Sequence, residues 1–379
     1  MRYLRSRAGW LAAGLAAPLA LAAGLTGLAP AAAATAAPCV SLTGAPPFVP
    51  SNTDNTFTGV TAISSCDVWA AGFQLSGGAD RTLTEHWDGS AWTEFPSPSP
   101  GPAGSVLEDV RAVSSNDVWA VGSFADSSSQ QTLALHWDGS QWSQIPTPSP
   151  AGTFSQLRAV RAVSTKDVWA VGSSFSNTTG FQTLTEHWNG TQWSVVPSPN
   201  PGAPNTNDTL IGLAVTSSSD AWAVGTSSTA TADHTLILHW NGTSWKQVTS
   251  PTPDGSDQLR SASATSASNA WAVGASSDGS KTVILHWNGT SWKQAASPSP
   301  TADNGLFGVA ATSASNAWSV GFTGTGTLIL AWNGNKWTRV PSPAGDQLNS
   351  VAGISASNAW AVGDALVSGV RQPLAIHCC

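Results

Sequence analysis

The fold is decided by a stretch that recurs along the chain, and residues 167–197 give it most fully: DVWAVGSSFSNTTGFQTLTEHWNGTQWSVVP. Two β-rich runs, 168–172 and 183–188, precede an Asn-Gly pair that favours a tight hairpin turn, and a last short run ends at Pro197. The first Trp recurs in seven copies, 42 to 53 residues apart, at Trp69, Trp119, Trp169, Trp222, Trp271, Trp318 and Trp360. This period, with several strands per copy, predicts an all-β fold, a seven-bladed β-propeller.

Tryptophan is the most regular feature of the repeat. A second Trp follows in six copies, at Trp87, Trp137, Trp188, Trp240, Trp287 and Trp332. A third lies five residues beyond each of these, at Trp92, Trp142, Trp193, Trp245, Trp292 and Trp337. An indole ring can be a platform for a sugar, but recurrence at fixed strand positions favours packing of one blade against the next.

Each repeat is predicted to form a blade of four antiparallel strands, called A to D in chain order. The A–B and C–D connections are short and nearly constant, whereas the B–C and D–A connections vary in length and sequence. The two variable connections emerge on one face of such a ring, where we expect function to lie. The predicted blades span residues near 57–98, 107–148, 157–199, 210–251, 259–298, 306–343 and 348–377.

The last copy stops after strand C and lacks strand D. Residues 44–52 precede the first strand A as the outer strands of other copies precede theirs, so we predict that they complete the last blade. This register brings together the four cysteines, Cys39, Cys66, Cys378 and Cys379. Two disulfides are the favoured interpretation, with Cys39 paired to one of the C-terminal residues, while free or metal-bound thiols are the alternative.

Residues 1–37 are predicted to be a secretory signal peptide. Three Arg residues precede an apolar, Ala-rich stretch that runs to about residue 28, and small-residue cleavage sites follow at 32–36. An uncleaved membrane anchor is the alternative. The mature protein would then be a propeller of residues 38–379, secreted or held at the cell surface.

The amino-acid composition limits the classes of molecule that this chain is expected to bind. Removal of the signal peptide leaves 12 basic against 22 acidic side chains, and this balance disfavours nucleic acid and anionic membranes. The mature chain also lacks Tyr and Met, because Met1 and Tyr3 are the only copies. We expect a monomer that binds a glycan or a surface protein.

Two polar rows accompany the Trp residues. One is a His row, at His86, His136, His187, His239, His286 and His377. The other alternates Asp and Asn before the leading Trp, at Asp67, Asp117, Asp167, Asp220, Asn269, Asn316 and Asn358. Equivalent sites in different blades lie far apart, so hydrogen-bonded structural imidazoles are favoured over a metal ring, and the Asp/Asn interchange favours capping of the A–B turn. No metal site, cofactor or catalytic residue is predicted.

Departures from the repeat supply the candidate ligand-binding residues. Arg111 and Arg161 share one position of strand A, and Arg158, Arg260 and Glu108 share another. Strand A lines the central channel of a propeller, so these arginines could bind an anionic ligand such as a sugar acid. Local pairing with Glu108 and the adjacent Asp is the alternative. The variable B–C loops add four candidates: Arg81, Phe124, Phe175 and Phe181.

The repeat D-V-W-A-V-G…H-W-[DN]-G-[ST]-x-W-x-x-V-P resembles the Trp-rich propeller repeats of secreted actinobacterial proteins. It also resembles the tectonin repeat, whose propellers act as lectins, and more loosely the kelch blade. The resemblance covers residues from about 57 to 377, but it rests on structural residues and implies a lectin role only by analogy. The kelch Gly-Gly doublet is missing, and Pro-Ser-Pro replaces the usual Ile-x-Gly of tectonin.

Known propeller enzymes provide a test of function. A sialidase-like site would need a nucleophilic Tyr and a galactose-oxidase-like copper site a Tyr–Cys pair, and the mature chain has no Tyr. The leading prediction is therefore a secreted, non-catalytic binding module that recognises glycan or a surface protein through its variable face. A secreted carbohydrate-active hydrolase or lyase is one alternative, and a structural surface protein is another.

Overall fold

The computed structural model describes residues 53–150, 154–202 and 207–378, which all belong to one compact unit. The predicted signal peptide, the closing strand at 44–52, Cys39 and Cys379 lie outside these ranges, as does the side chain of Cys378. Which cysteines pair therefore stays a prediction. The described residues form 27 β-strands.

The strands follow the predicted A to D order. The first three repeats contain β1 (Asn55–Ser64), β2 (Asp67–Ser76), β3 (Ala79–Trp87), β4 (Trp92–Glu94); β5 (Gly104–Ser114), β6 (Asp117–Ala125), β7 (Gln130–Trp137), β8 (Trp142–Gln144); β9 (Phe154–Ser164), β10 (Asp167–Ser176), β11 (Gly180–Trp188) and β12 (Trp193–Val195). The next three contain β13 (Asn207–Ser217), β14 (Asp220–Ser228), β15 (Asp233–Trp240), β16 (Trp245–Gln247); β17 (Asp257–Ser266), β18 (Asn269–Ser276), β19 (Thr282–Trp287), β20 (Trp292–Gln294); β21 (Asn304–Ser313), β22 (Asn316–Thr323), β23 (Gly326–Trp332) and β24 (Trp337–Val340). The last contains β25 (Gln347–Gly353), β26 (Ala359–Val367) and β27 (Val370–Cys378).

Pairing within each repeat is antiparallel and sequential, and the last repeat has three described strands. One feature differs from the prediction of separate antiparallel blades. A single parallel pair, Gln130 with Phe154, joins the second and third repeats into an eight-stranded mixed sheet. It lies where β7 and the inner strand of the next repeat approach each other at the variable face.

Every inner strand contains a β-bulge near its start. In the third repeat Val171 pairs with Ala159 and Gly172 with Leu157, so Arg158 has no partner on β10. A bulge of this kind twists the strand and redirects one side chain. It also explains the Gly of the D-V-W-A-V-G motif, because a Cβ on Gly172 would collide with the carbonyl oxygen of Gln156.

The core consists of seven apolar clusters, each between two consecutive repeats. At six of these seven junctions the leading Trp of one repeat packs on the second and third Trp of the next; Trp318 is the exception, because the last repeat lacks both. Trp169, for example, lies 4.8 Å from Trp240 and 5.4 Å from Trp245 between ring centroids. The sequence-based assignment of these rings to inter-blade packing agrees with these contacts.

The same packing closes the ring. Trp360 of the last repeat lies 5.5 Å from Trp87 and 5.6 Å from Trp92 of the first. Asn349 Nδ2 donates a hydrogen bond of 2.7 Å to the carbonyl oxygen of Phe57, also across this junction. The first and last described repeats therefore meet as any two consecutive repeats do.

The His and Asp rows bind each other. In the first four repeats His Nε2 lies 2.7 to 2.9 Å from the Asp Oδ1 of the same repeat, and two later repeats use Asn at 2.8 and 3.0 Å. The imidazole also lies 4.1 to 4.6 Å from the leading Trp ring. The His contact adds to the predicted capping of the A–B turn, which three repeats show as side-chain hydrogen bonds between Thr216 and Asp220, Thr265 and Asn269, and Thr312 and Asn316.

Candidate functional site

Seven side chains form a ring at one end of the central channel, and each is the bulge residue of its inner strand. They are Thr58, Glu108, Arg158, Ile211, Arg260, Phe307 and Asn349. We call this set the mouth ring. It lies near the starts of the inner strands, on the face that carries the variable B–C and D–A connections. The β-bulges therefore turn these side chains towards the channel.

The mouth ring encloses a cavity of about 370 Å³. Its wall also includes Phe73, Asp109, Arg161 and Gln347. The apolar residues Phe73, Ile211 and Phe307 are interspersed around this wall with the charged residues Glu108, Arg158 and Arg260. A cavity with an apolar wall and a few polar groups is the usual form of a small-ligand site.

Two of the four channel arginines have carboxylate partners. Arg158 Nη1 lies 2.9 Å from Glu108 Oε1, and Arg161 Nη1 lies 2.5 Å from Asp109 Oδ2. Burial raises the pKa of Glu108, although the charge and hydrogen bond of Arg158 oppose this shift. For these two arginines the predicted local pairing is present.

Arg260 has no carboxylate partner among the described residues. Its Nη2 donates a hydrogen bond of 3.3 Å to Gln258 Oε1, and its guanidinium carbon lies 5.1 Å from the centroid of the Phe307 ring. Its Nε is buried and has no hydrogen-bond partner in the described part of the chain. Burial lowers the pKa of Arg260, and the like charge of Arg158 adds to this effect. A guanidinium held over an aromatic ring with donors to spare is well suited to an oxyanion.

The channel carries positive charge inside an acidic protein. Arg111, Arg158, Arg161 and Arg260 line it, against two acids, Glu108 and Asp109. The whole chain has a formal net charge of −7. A concave surface of the opposite sign to the rest of the molecule concentrates anions.

The four candidates in the loops do not join this site. Arg81 Nη1 donates a hydrogen bond of 2.8 Å to the carbonyl oxygen of Gly101 and so holds a D–A linker. Phe124 packs on the apolar cluster between the first two repeats. Phe175 and Phe181 face each other with centroids 5.0 Å apart. None of these four side chains is part of the described cavity wall.

Phe307 is the residue that sequence reasoning missed. It occupies the same strand position as Arg158 and Arg260, and this alignment was the signal that could have found it. Gln258, which bonds to Arg260 and Asp233, and Phe73, which lines the cavity, carry no comparable signal in the sequence.

The described residues contain neither a cluster of metal ligands nor a membrane-spanning helix. No group of three or more His, Cys, Asp or Glu side chains in these ranges could hold a metal ion. The described ranges also contain no helix with the length and apolar character needed to cross a membrane.

Comparison with known proteins identifies the fold. No protein-family model and no curated protein matches the sequence. The structure is similar to the WD40 repeats of RRP9, with a TM-score of 0.59 and 10% identity over 89% of this chain and 99% of that one. It is similar to YCF48 bound to a D1 peptide, with a TM-score of 0.53 and 17% identity over 88% and 97%. It is also similar to an ulvan lyase bound to -[GlcA(1-4)Rha3S]-, with a TM-score of 0.55 and 9% identity over 85% and 94%.

The fold is a β-propeller. Its blades are repeated antiparallel sheets, and the inner strand of each repeat lines the propeller channel. At these low identities the likeness extends to the fold alone. The mouth ring belongs to the face of the propeller that carries the longer connections.

Proposed function

We propose that this protein is a non-catalytic binding module that holds an acidic glycan at the mouth ring. The observation that carries this proposal is Arg260, a guanidinium packed over Phe307 with an unpartnered Nε, at the edge of an open cavity. A carboxylate or sulfate would supply the acceptor oxygens that this group lacks.

The rest of the cavity wall fits a sugar ring. Phe307 and Phe73 offer apolar faces against which the C–H groups of a pyranose could pack. Asn349 and Gln347 offer amide groups for hydroxyls, and both are already oriented by hydrogen bonds to other groups. A volume of about 370 Å³ lies within the range of small-ligand sites. The ulvan lyase complex supports the idea that this fold can present an acidic saccharide.

The test compares a polyuronate with its carboxyl-reduced counterpart, which keeps the sugar backbone and loses the charge. We expect the protein to bind the polyuronate saturably and the reduced polymer at least about tenfold more weakly, since a charge-assisted pair contributes roughly 1.5–3 kcal/mol. Arg260→Gln should reduce polyuronate binding by about the same factor. Arg339→Gln is the matched control, because Arg339 lies exposed on β24.

Several outcomes would count against the proposal. Equal binding of the two polymers, or full binding by Arg260→Gln, would exclude the mouth as an acidic-glycan site. Release of product from the polyuronate would favour the hydrolase or lyase alternative. Binding only of peptides would favour a surface protein as partner, since YCF48, which has a similar fold, binds a D1 peptide.

We further propose that the seven strand sets are seven blades, that residues 44–52 complete the last, and that the chain is exported and disulfide-bonded. The support is the Trp360 packing that closes the ring, together with the signal-like sequence of residues 1–37. Intact mass of the protein recovered from the culture medium checks export and disulfide formation. A mass that starts within residues 35–38 and rises by about 4 Da on reduction is expected, because each reduced disulfide gains two hydrogens. An unprocessed or unchanged mass would contradict the proposal.

A further inference from the structure

The channel has a second chamber, on the side of the short A–B turns. It has a volume of about 180 Å³ and is lined by the later residues of the same seven inner strands. Arg161, Val309, Ser350 and Val351 contribute to both cavities and so form a waist between them. This lower chamber is separate from the mouth ring.

The wall of the lower chamber is almost entirely small and apolar. Alanine and valine from five or more strands surround it, and the polar exceptions besides arginine are Ser263 and Ser350. Both serine hydroxyls already accept backbone hydrogen bonds, from the amides of Ala311 and Val60. Arg111 and Arg161 are therefore the chamber's charged groups, and no carboxylate contributes to the described wall.

The two arginines differ in what neutralises them. Arg161 Nη1 donates to Asp109 Oδ2 at 2.5 Å and to the carbonyl oxygen of Val160 at 2.6 Å. The Arg111 guanidinium has no hydrogen bond or ion pair with any described residue. Residues 1–52, 151–153, 203–206 and 379 contain no Asp or Glu, so every acidic side chain of residues 1–379 lies in the described ranges.

Arg111 and Arg161, which are both positively charged, thus lie in a small apolar chamber with one neighbouring carboxylate, that of Asp109. Arg111 occupies the same strand position as Arg161 on the adjacent inner strand, and it is solvent-exposed within the channel. Burial by surrounding protein and the charge of Arg161 lower the pKa of Arg111 to about 10, while Asp109 opposes the shift. Arg111 therefore stays protonated near neutral pH and keeps its five N–H donors.

We propose that the lower chamber binds a small inorganic oxyanion, of the size of sulfate or phosphate, between Arg111 and Arg161. The planar guanidinium of Arg111 can donate two parallel hydrogen bonds to such an anion, which chloride cannot accept in the same way. At roughly 30 Å³ per water, the chamber has room for about six waters, or for one oxyanion with part of its hydration shell. The anion would compensate the charge that Asp109 leaves unbalanced.

The experiment measures thermal stability in sodium sulfate and in sodium chloride at equal ionic strength. Sulfate stabilises most proteins by exclusion from their surface, so the informative quantity is the difference between variants. We expect wild type to gain on the order of 2–4 °C more from sulfate than Arg111→Gln gains, with saturation. Arg339→Gln should respond as wild type does. Measured in an Arg260→Gln background, the difference that Arg111→Gln makes should be unchanged, which separates this site from the mouth ring.

A second measurement identifies the position of the anion. Crystals soaked in selenate should show an anomalous peak within hydrogen-bonding distance of Arg111, and the peak should be absent in Arg111→Gln. Arg111→Gln should also be at least as stable as wild type without sulfate, because it removes the repulsion with Arg161. A sulfate response that is equal in wild type and Arg111→Gln, or the absence of selenate at Arg111, would overturn the proposal.

Discussion

Glu186 occupies a position that the repeat reserves for an apolar side chain. The equivalent residues are Leu135, Leu238, Leu285, Leu330 and Ile376, with Glu85 in the first repeat. Glu186 is fully buried beside the apolar cluster between the second and third repeats, and neither carboxylate oxygen has a partner among the described residues. Burial raises its pKa to about 8. The protein therefore keeps a neutral carboxylic acid in a blade interface at neutral pH.

This residue makes stability depend on pH in a defined direction. A raised pKa in the folded state means that the unfolded chain loses its proton first, so stability falls between about pH 4.5 and about pH 8. We expect Glu186→Leu to have a higher free energy of unfolding than wild type. This difference should increase by on the order of 3 kcal/mol from the lower to the upper end of this pH range. Urea unfolding at pH 5 and pH 8.5 measures it.

Glu186→Gln is the isosteric control. It should also lose the pH dependence, because it cannot ionise, but it keeps a buried polar group and should gain less stability than Glu186→Leu. An identical pH slope in wild type and Glu186→Leu would contradict the assigned pKa.

At the residue scale, the sequence predicted which residue types recur at each position better than it predicted their hydrogen-bond and ion-pair partners. The His and Asp rows are visible in the repeat, yet their mutual hydrogen bond depends on the strand register that sets the two side by side. Likewise, the four channel arginines could be placed on inner strands, but the division into paired and unpaired groups depends on rotamers. Arg158 reaches Glu108, whereas Arg260 lies over Phe307.

At the scale of one strand, the bulge decides where function can reside. The inner strands read F/L-x-x-V/L/A, with two residues between buried positions instead of the single residue of a regular strand. The spacing between Leu157 and Val160 shows this break in alternation. A reading based on regular alternation places these residues on an inner strand but gives no reason for all seven to face the channel.

The bulge makes one glycine per repeat essential. We expect Gly172→Ala to lower the free energy of unfolding by roughly 1–3 kcal/mol, because the new Cβ would force the Gln156 carbonyl away. It should also weaken ligand binding, since the same bulge directs Arg158. Gly324→Ala is the control: its Cβ would meet only ordinary contacts, the nearest at 3.5 Å. Urea unfolding of both variants tests this, and equal stability of the two would refute the bulge argument.

At the scale of the molecule, the repeat period predicted the strand order, the inter-repeat packing and the location of a channel. These features follow from local sequence patterns that recur in each repeat. A strand that is ambiguous in one repeat can therefore be assigned from the equivalent residues of the others. The chambers were not predictable, because each depends on how seven different side chains meet around an axis. The parallel pair between Gln130 and Phe154 is similarly a product of loop geometry in one place.

Ring closure by Trp360 has a consequence during synthesis. Trp360 follows Trp92 by 268 residues, so the apolar face of the first repeat has no final partner until those 268 residues have been made. At about 5–20 residues per second, this delay is roughly a quarter of a minute to a minute. A nascent chain with that face uncovered is exposed to misassociation with its neighbours on the polysome, so we expect a holdase to accompany it until the last repeat emerges.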